Sequence, residues 1–386
     1  MEKEKYLKNI FQETLNNEKK NFSSYATFNK EAKRSKKEKN NSLRGPFAID
    51  RDRILYSGAY RRYQGKTQVV YFSNLFDEEM SNRSLHTTYV SQVSRTIAKI
   101  LKLNLELVEA IALGHDLGHT PFGHDGEQIL SKYCEEYGIG SFHHNVESLH
   151  IVDSIANNGN GMNLTFQVRD GIVSHDGEVH DEHLKPDRSK NEKDLQNYVK
   201  QRKKKEVTTV PATLEGCVVR ISDTIAYIGQ DIEDAIRLGF LTRAELPKNS
   251  TQLLGSTNSQ IIDSLVKSVV LNSYGHDYVS FDKETSDALY ELKSFNYKRI
   301  YTHGVIKKEK SAIKRGMKIL FQKYLDDIAN KNRKSKIYEH FLDGKSETYL
   351  EKFSPAEKVR DFIATMTDRY FHEELKQFIL PGKVEE

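Results

Sequence analysis

LGHDLGHTPFGHDGE, residues 113–127, decides how this chain is read. It sets His115, Asp116, His119, His124 and Glu127 in one short window in which Phe122 is the only aromatic residue other than the histidines. Imidazoles and carboxylates crowded together away from water need a partner, and a divalent cation is the usual one. Gly114 and Gly118 flank the His115–Asp116 pair and allow close backbone approach there. Neighbouring residues on a helix diverge by about 100°, so the pair can meet one ion only at a helix end. Two ligands make a weak site, so the rest must come from other parts of the chain.

Outward from this stretch the pattern is helical. Leu85, Tyr89, Val93, Ile97 and Ile100 recur at three- to four-residue spacing, as do Leu105, Val108, Ile111 and Ala112. Asn104 is placed to cap the second of these helices and Gly118 to end it, and a third runs from near Pro121 to Gly138. Pro211 precedes a long amphipathic helix reaching Gly239, with Leu214, Val218, Ile221, Ile225, Ile228, Ile232 and Ala235 as its apolar stripe. Ser354, Pro355 and Glu357 supply a capping box near the C-terminus. The best strand candidates are QVVYF at 68–72 and HDYVSFD at 276–282.

The expected fold is therefore mostly α-helical, a single large domain with peripheral additions. Residues 1–45 read as a basic N-terminal arm, 46–240 as the catalytic core, and 241–386 as a helical C-terminal part packing on it. Within the core, the polar stretch 177–210 reads as a surface excursion or lid.

Composition narrows the class. The 386 residues carry 59 basic against 55 acidic side chains, a formal charge of +4, so no global commitment to nucleic acid follows; the basic runs at 33–39 and 202–205 are local. Cys134 and Cys217 lack CxxC or Cys/His spacing, which argues against a disulfide framework and for a reducing, cytoplasmic setting. MEKEKYLKNIF at the start has no apolar signal core, and no run approaches the roughly 18 apolar residues of a membrane span. No GxxxxGK[ST] loop occurs, against a P-loop nucleotidase.

Two residues interrupt the apolar patterns and are candidates for the missing ligands. His86 lies on the first helix shortly after Arg83, and Asp223 lies within VVRISDTIAY on the long one. Tyr227 and Asp231 follow Asp223 at four-residue steps and share its face. Taken singly, His86 reads as a packed or surface histidine and Asp223 as a solvated or paired carboxylate. A second pair, His175–Asp176, lacks the glycine-flanked helical setting and reads as a decoy.

The ordered set Arg83-x-x-His86, His115–Asp116 and Asp223 resembles the HD superfamily of metal-dependent phosphohydrolases. RRYQGKTQV at 61–69, GHDLGHTPFGHDGE at 114–127, HNVES at 144–148, LEGCVVRISDTIAYIGQDIEDAI at 214–236 and MTDRY at 366–370 look like the motif series of the dGTPase-type deoxynucleoside triphosphate triphosphohydrolases. The resemblance implies an HD-domain helical fold and hydrolysis of a dNTP to a deoxynucleoside and inorganic triphosphate. It implies one divalent metal, Mn²⁺, Mg²⁺ or Fe²⁺, on His86, His115, Asp116 and Asp223. His124 and Glu127 would form the catalytic pair, with His119 at the phosphates. Arg83, His144 and Asn145 would approach the triphosphate; Gln68, Tyr227 and Asp231 the base and sugar. Tyr297 or Tyr301 would wall off a ribose 2′ hydroxyl. It also implies a homo-oligomer, often a hexamer, with dNTPs or single-stranded DNA as effectors of some members. The alternatives are an HD phosphohydrolase acting on a monophosphate, an alarmone or a cyclic dinucleotide, and a nucleic-acid-binding regulator without turnover.

Overall fold

The computed structural model describes residues 2–38, 43–67, 81–177 and 183–379. Its main helices are α1 Glu2–Asn21, α2 Pro46–Leu55, α3 Arg83–Ile100, α4 Leu105–Gly114, α5 Gly123–Glu136, α6 His144–His150, α7 Phe166–Val173, α8 Glu192–Arg202, α9 Leu214–Arg237, α10 Asn258–Ser273, α11 Lys283–Asn296, α12 Gly304–Ala329, α13 Pro355–Thr365 and α14 Asp368–Ile379. Shorter helical turns link several of them. Among the described residues there is no sheet; only isolated bridges form, one of them between Leu184 and Val279 in the stretch expected as a strand. The other strand candidate, 68–72, lies outside the described residues.

Helix ends follow the sequence chemistry. The Asn104 side chain accepts from the backbone N–H groups of Glu106 and Leu107 and starts α4, and Ser354 with Glu357 closes a capping box on α13. Thr213 caps α9, and every member of its apolar stripe from Leu214 to Ala235 is buried. Helix α9 packs on α3, α4, α7 and α10, and α4 is further enclosed by α2 and α7. One contiguous apolar cluster runs from Ala26 to Phe371, so the C-terminal helices share the core of the HD helices. Cys134 and Cys217 are both free and buried in it. No helix among the described residues is long and apolar enough to cross a membrane.

Two peripheral segments are more tightly held than their polarity suggests. In the N-terminal arm, the Glu215 carboxylate at the base of α9 accepts from the Thr27 N–H and hydroxyl, both at 2.8 Å, and from the Asn104 N–H at 3.1 Å. Within the 177–210 stretch, Glu192–Arg202 form the anchored helix α8, with Leu195 buried. Arg169 meets Glu192 at 2.6 Å, Arg202 meets Asp176 at 3.0 Å, and Lys190 pairs with the buried Asp170. Ion pairs to partly buried partners, invisible in a polar run, tie the described part of this stretch to the rest of the fold.

Candidate metal centre and active site

Close packing sets the position of the HD pair. A Cβ on Gly114 would stand 2.6 Å from the Ile172 side chain, and one on Gly118 would stand 2.2 Å from the Ser148 nitrogen and 2.3 Å from the His144 oxygen. Helix α4 therefore ends against α7, and the turn after it lies directly on α6. Ser148 stitches the contact: its hydroxyl accepts from Gly118 N–H at 2.8 Å and donates to the His115 carbonyl at 2.6 Å.

His86 from α3, His115 and Asp116 from the end of α4, and Asp223 from α9 converge. His86 Nε2 lies 3.0 Å from Asp223 Oδ1 and 3.8 Å from Asp116 Oδ2. His115 Nε2 lies 3.4 Å from Asp116 Oδ1 and 3.8 Å from Asp223 Oδ1. His115 Nδ1 is 2.7 Å from the Ala112 carbonyl, which fixes the proton there and leaves the Nε2 lone pair facing the cluster. That buried Nε2 has no hydrogen-bond partner. An imidazole oriented by its other nitrogen, beside two carboxylates, suits a borderline divalent cation. Burial would push both carboxyls up. His115, His119 and Arg83 outweigh it at Asp116, and the His86 hydrogen bond and the His115 charge do so at Asp223, so both are held well below the usual range.

Arg83, one turn before His86, donates to Asp116 Oδ2 at 2.5 Å. His119 is buried with Nε2 3.2 Å from Asp116 Oδ1, and burial, with Arg83 next, holds it neutral. Its Nδ1 has no partner.

Next to this set, Glu127 accepts from three donors. His124 Nδ1 is 3.2 Å away, the His144 backbone N–H 2.7 Å and His144 Nδ1 3.0 Å. Burial would raise the Glu127 carboxyl, but His144 and His124 hold it well below the usual range. The His124 side chain is 70% exposed, so its far nitrogen faces open space. His119 stacks on His144 with ring centroids 4.1 Å apart.

Of the pair read as a decoy, His175 lies in the cluster, whereas Asp176 meets Arg202 at 3.0 Å. The His175 ring centroid is 4.9 Å from that of His115 and its Nε2 is 3.7 Å from Asp116 Oδ1. It follows α7 directly, and α7 packs on both α4 and α6. The available signal was the apolar run DGIVS before the pair, with Gly177 after it. Asn145 goes the other way: it is fully buried, and its amide donates to the Val173 carbonyl at 2.8 Å and the Tyr198 hydroxyl at 3.0 Å. Of the two, only His144 joins the cluster.

Further along α9, Asp231 is 2% exposed, with Oδ2 2.5 Å from the Tyr301 hydroxyl and Oδ1 without a partner. Eight residues separate it from Asp223, about 12 Å along the helix. Tyr227 lies half-buried between them on the same face. Tyr297 is 63% exposed, which leaves Tyr301 as the tyrosine at this end. Gln68 lies outside the described residues.

An all-helical fold with a His/Asp cluster of this form defines an HD-domain phosphohydrolase: residues 83–228 match the HD domain and 279–377 the phosphohydrolase-associated domain. The chain belongs to the deoxyguanosinetriphosphate triphosphohydrolase-like family. It is 38% identical over 361 residues to such a protein of Caldanaerobacter subterraneus subsp. tengcongensis, covering 93% of each chain. It is 36% identical to one of Clostridium perfringens strain 13, over 90% of this chain and 91% of the relative. The value is 32% for one of Rickettsia felis, over 88% and 93%. A solved hypothetical protein of Aquifex aeolicus matches 85% of this chain and 71% of its own at 16% identity, with a TM-score of 0.37.

Proposed function

We propose that this protein hydrolyses deoxynucleoside triphosphates at the α-phosphorus, releasing the deoxynucleoside and intact inorganic triphosphate. The observation that carries the reading is the convergence of His86, His115, Asp116 and Asp223, with the bare His115 Nε2 among them, beside the His124–Glu127 pair. Those four residues would hold one divalent cation, Mn²⁺, Mg²⁺ or Fe²⁺, which supplies positive charge at the α-phosphoryl oxygens and lowers the pKa of water.

The chain's own groups do the rest. Glu127 holds the His124 Nδ1 proton, which directs Nε2 toward the nucleotide, where it moves a proton at the attacking water or the 5′ oxygen. Arg83 and the His144 imidazolium neutralise phosphate oxygens. The negative charge of an arriving phosphate also favours uptake of a solvent proton at the bare His119 Nδ1, which turns that atom into a donor. Asp231 Oδ1 accepts from the 3′ hydroxyl, and Tyr227 and Tyr301 close around the sugar, so a 2′ hydroxyl meets an aromatic wall.

Incubating the purified protein with each dNTP and Mn²⁺ or Mg²⁺, then separating the products, tests the reading. Tripolyphosphate and deoxynucleoside are expected. Orthophosphate with a deoxynucleoside diphosphate, or turnover only of monophosphates or cyclic dinucleotides, would sink it.

A further inference from the structure

Lys66 and Thr67 of RRYQGKTQV and Asp368 of MTDRY take no part in the reaction above, yet their side chains meet at one turn. That turn, 119–122, joins the metal ligands His115 and Asp116 to α5, whose first two turns carry His124 and Glu127. Its shape is unfavourable for its sequence. Phe122 lies in the left-handed region at φ 63° and ψ 29°, and Gly123 follows at φ 54°. A phenylalanine persists there only where its surroundings fix it.

The C-terminal helices supply that fixing. Asp368, the first residue of α14, accepts from the Phe122 N–H on Oδ1 at 3.0 Å. Its Oδ2 accepts from the Thr67 N–H at 3.1 Å and from the Thr67 hydroxyl. One turn further along α14, Phe371 and His372 pack on the Phe122 ring, with centroids 5.1 and 5.2 Å away. Asp368 is not spent on its own helix, because the Thr367 hydroxyl accepts from the Tyr370 N–H at 3.1 Å and caps α14.

Lys66 adds a second tie. Its buried Nζ donates to the His119 carbonyl and, at 2.7 Å, to the Ala364 carbonyl of α13. The Lys66 carbonyl accepts from the Arg83 N–H at 3.0 Å, at the start of α3. The segment that leads into Gln68 is thus bound to the turn before α5 through residues of the phosphohydrolase-associated domain.

We propose that Asp368 is a positioning residue whose two carboxylate oxygens hold the turn that aims His124 in register with the Thr67 segment that leads into Gln68. Misplacing a reacting group by about 1 Å is enough to slow an enzyme severely. The Oδ1 limb therefore acts on kcat through His124, and the Oδ2 limb acts on KM through Gln68. The inference rests on the proposed dNTP reaction for its kinetic readout and on the Asp368 hydrogen bonds alone for its geometric one.

The test compares full-length Asp368→Ala, Asp368→Asn and Thr67→Val with the wild type by dNTP kinetics, metal analysis and hydrogen exchange of the peptide spanning 117–126. Asp368→Ala is expected to lower kcat by about tenfold or more, to speed exchange in that peptide and to leave metal content intact. Asp368→Asn keeps an acceptor for the Phe122 N–H, so its kcat should recover well above that of the alanine variant. Thr67→Val should raise KM by about threefold or more with kcat held, the scale of one lost hydrogen bond. Wild-type kcat in Asp368→Ala, or a fall that tracks lost metal or a lowered melting temperature without the split between kcat and KM, overturns the proposal. A wild type that leaves dNTPs intact would sink the reaction alone; the exchange measurement then decides, and unchanged exchange around Phe122 in Asp368→Ala overturns the positioning role.

Discussion

His144 and His175 meet nitrogen to nitrogen, their Nε2 atoms 3.2 Å apart. His175 Nδ1 is 2.6 Å from the Ile172 carbonyl and so carries that ring's proton, which leaves its Nε2 as an acceptor. His144 must then donate from Nε2 while also donating from Nδ1 to Glu127, and a ring that donates from both nitrogens is an imidazolium. Against burial, the Glu127 charge and hydrogen bond raise His144 to about 9, and burial, with His115 and His144 next, pushes His175 down to about 4.

This pairing predicts a pH-dependent stability. The folded-state pKa of His144 is raised above its ordinary value, so its contribution is fully present below about 6.5 and is lost as pH rises through about 9. Urea denaturation of metal-stripped protein should show stability falling over that window by at most ~3 kcal/mol. His144→Gln should flatten the slope. An equally steep slope in the variant would refute the assignment.

His124→Ala should leave metal content intact and reduce turnover by roughly 10²-fold or more, the scale of a lost acid–base group. The check is metal analysis by mass spectrometry beside initial rates. Near-normal turnover would remove His124 from the chemistry.

Asp223→Ala should lower bound metal and activity together, because it takes one carboxylate from between His86 and His115. Full metal stoichiometry in the variant would put the fourth ligand elsewhere.

Asp231→Asn should separate stability from function. Burial first, against the Tyr301 hydrogen bond and with the charges of Asp234 and Asp223, pushes the Asp231 carboxyl up to about 7. A raised carboxyl makes stability fall as pH rises from about 4 to 7, since the unfolded chain ionises first. The amide should therefore stabilise the protein at pH 8 relative to pH 5, by up to about 2–4 kcal/mol, while raising KM for dNTPs. A variant less stable at pH 8, with unchanged KM, would show that the bare oxygen serves neither purpose.

Gly118→Ala should destabilise by at least ~1–3 kcal/mol and disturb metal binding, because the new methyl would meet backbone atoms of α6 that have nowhere to move. Thermal melts with and without Mn²⁺ measure both effects. A neutral substitution would mean that the turn and α6 are not in contact.

The helices and the four converging side chains were legible because each leaves a local trace. Asp223 and His86 break apolar stripes, Asn104 and Ser354 sit at caps, and the glycines around His115 mark a close approach. What stayed hidden depends on which distant segment a residue faces. His175 and Asn145 carry equally strong local chemistry. Yet α7 turns the first into the cluster, and the Val173 carbonyl with Tyr198 takes the second out of it. The 183–210 stretch likewise read as solvated because the partners of Glu192 and Arg202 lie outside it, at Arg169 and Asp176.

The Thr27–Glu215 hydrogen bonds also bear on any attempt to shorten this polypeptide. Its polar opening residues invite removal, yet a cut beyond Thr27 would strand a buried anion two helical turns from Asp223. Truncation at the front would thus be felt in the middle, as looser cation affinity rather than as the loss of an idle tail.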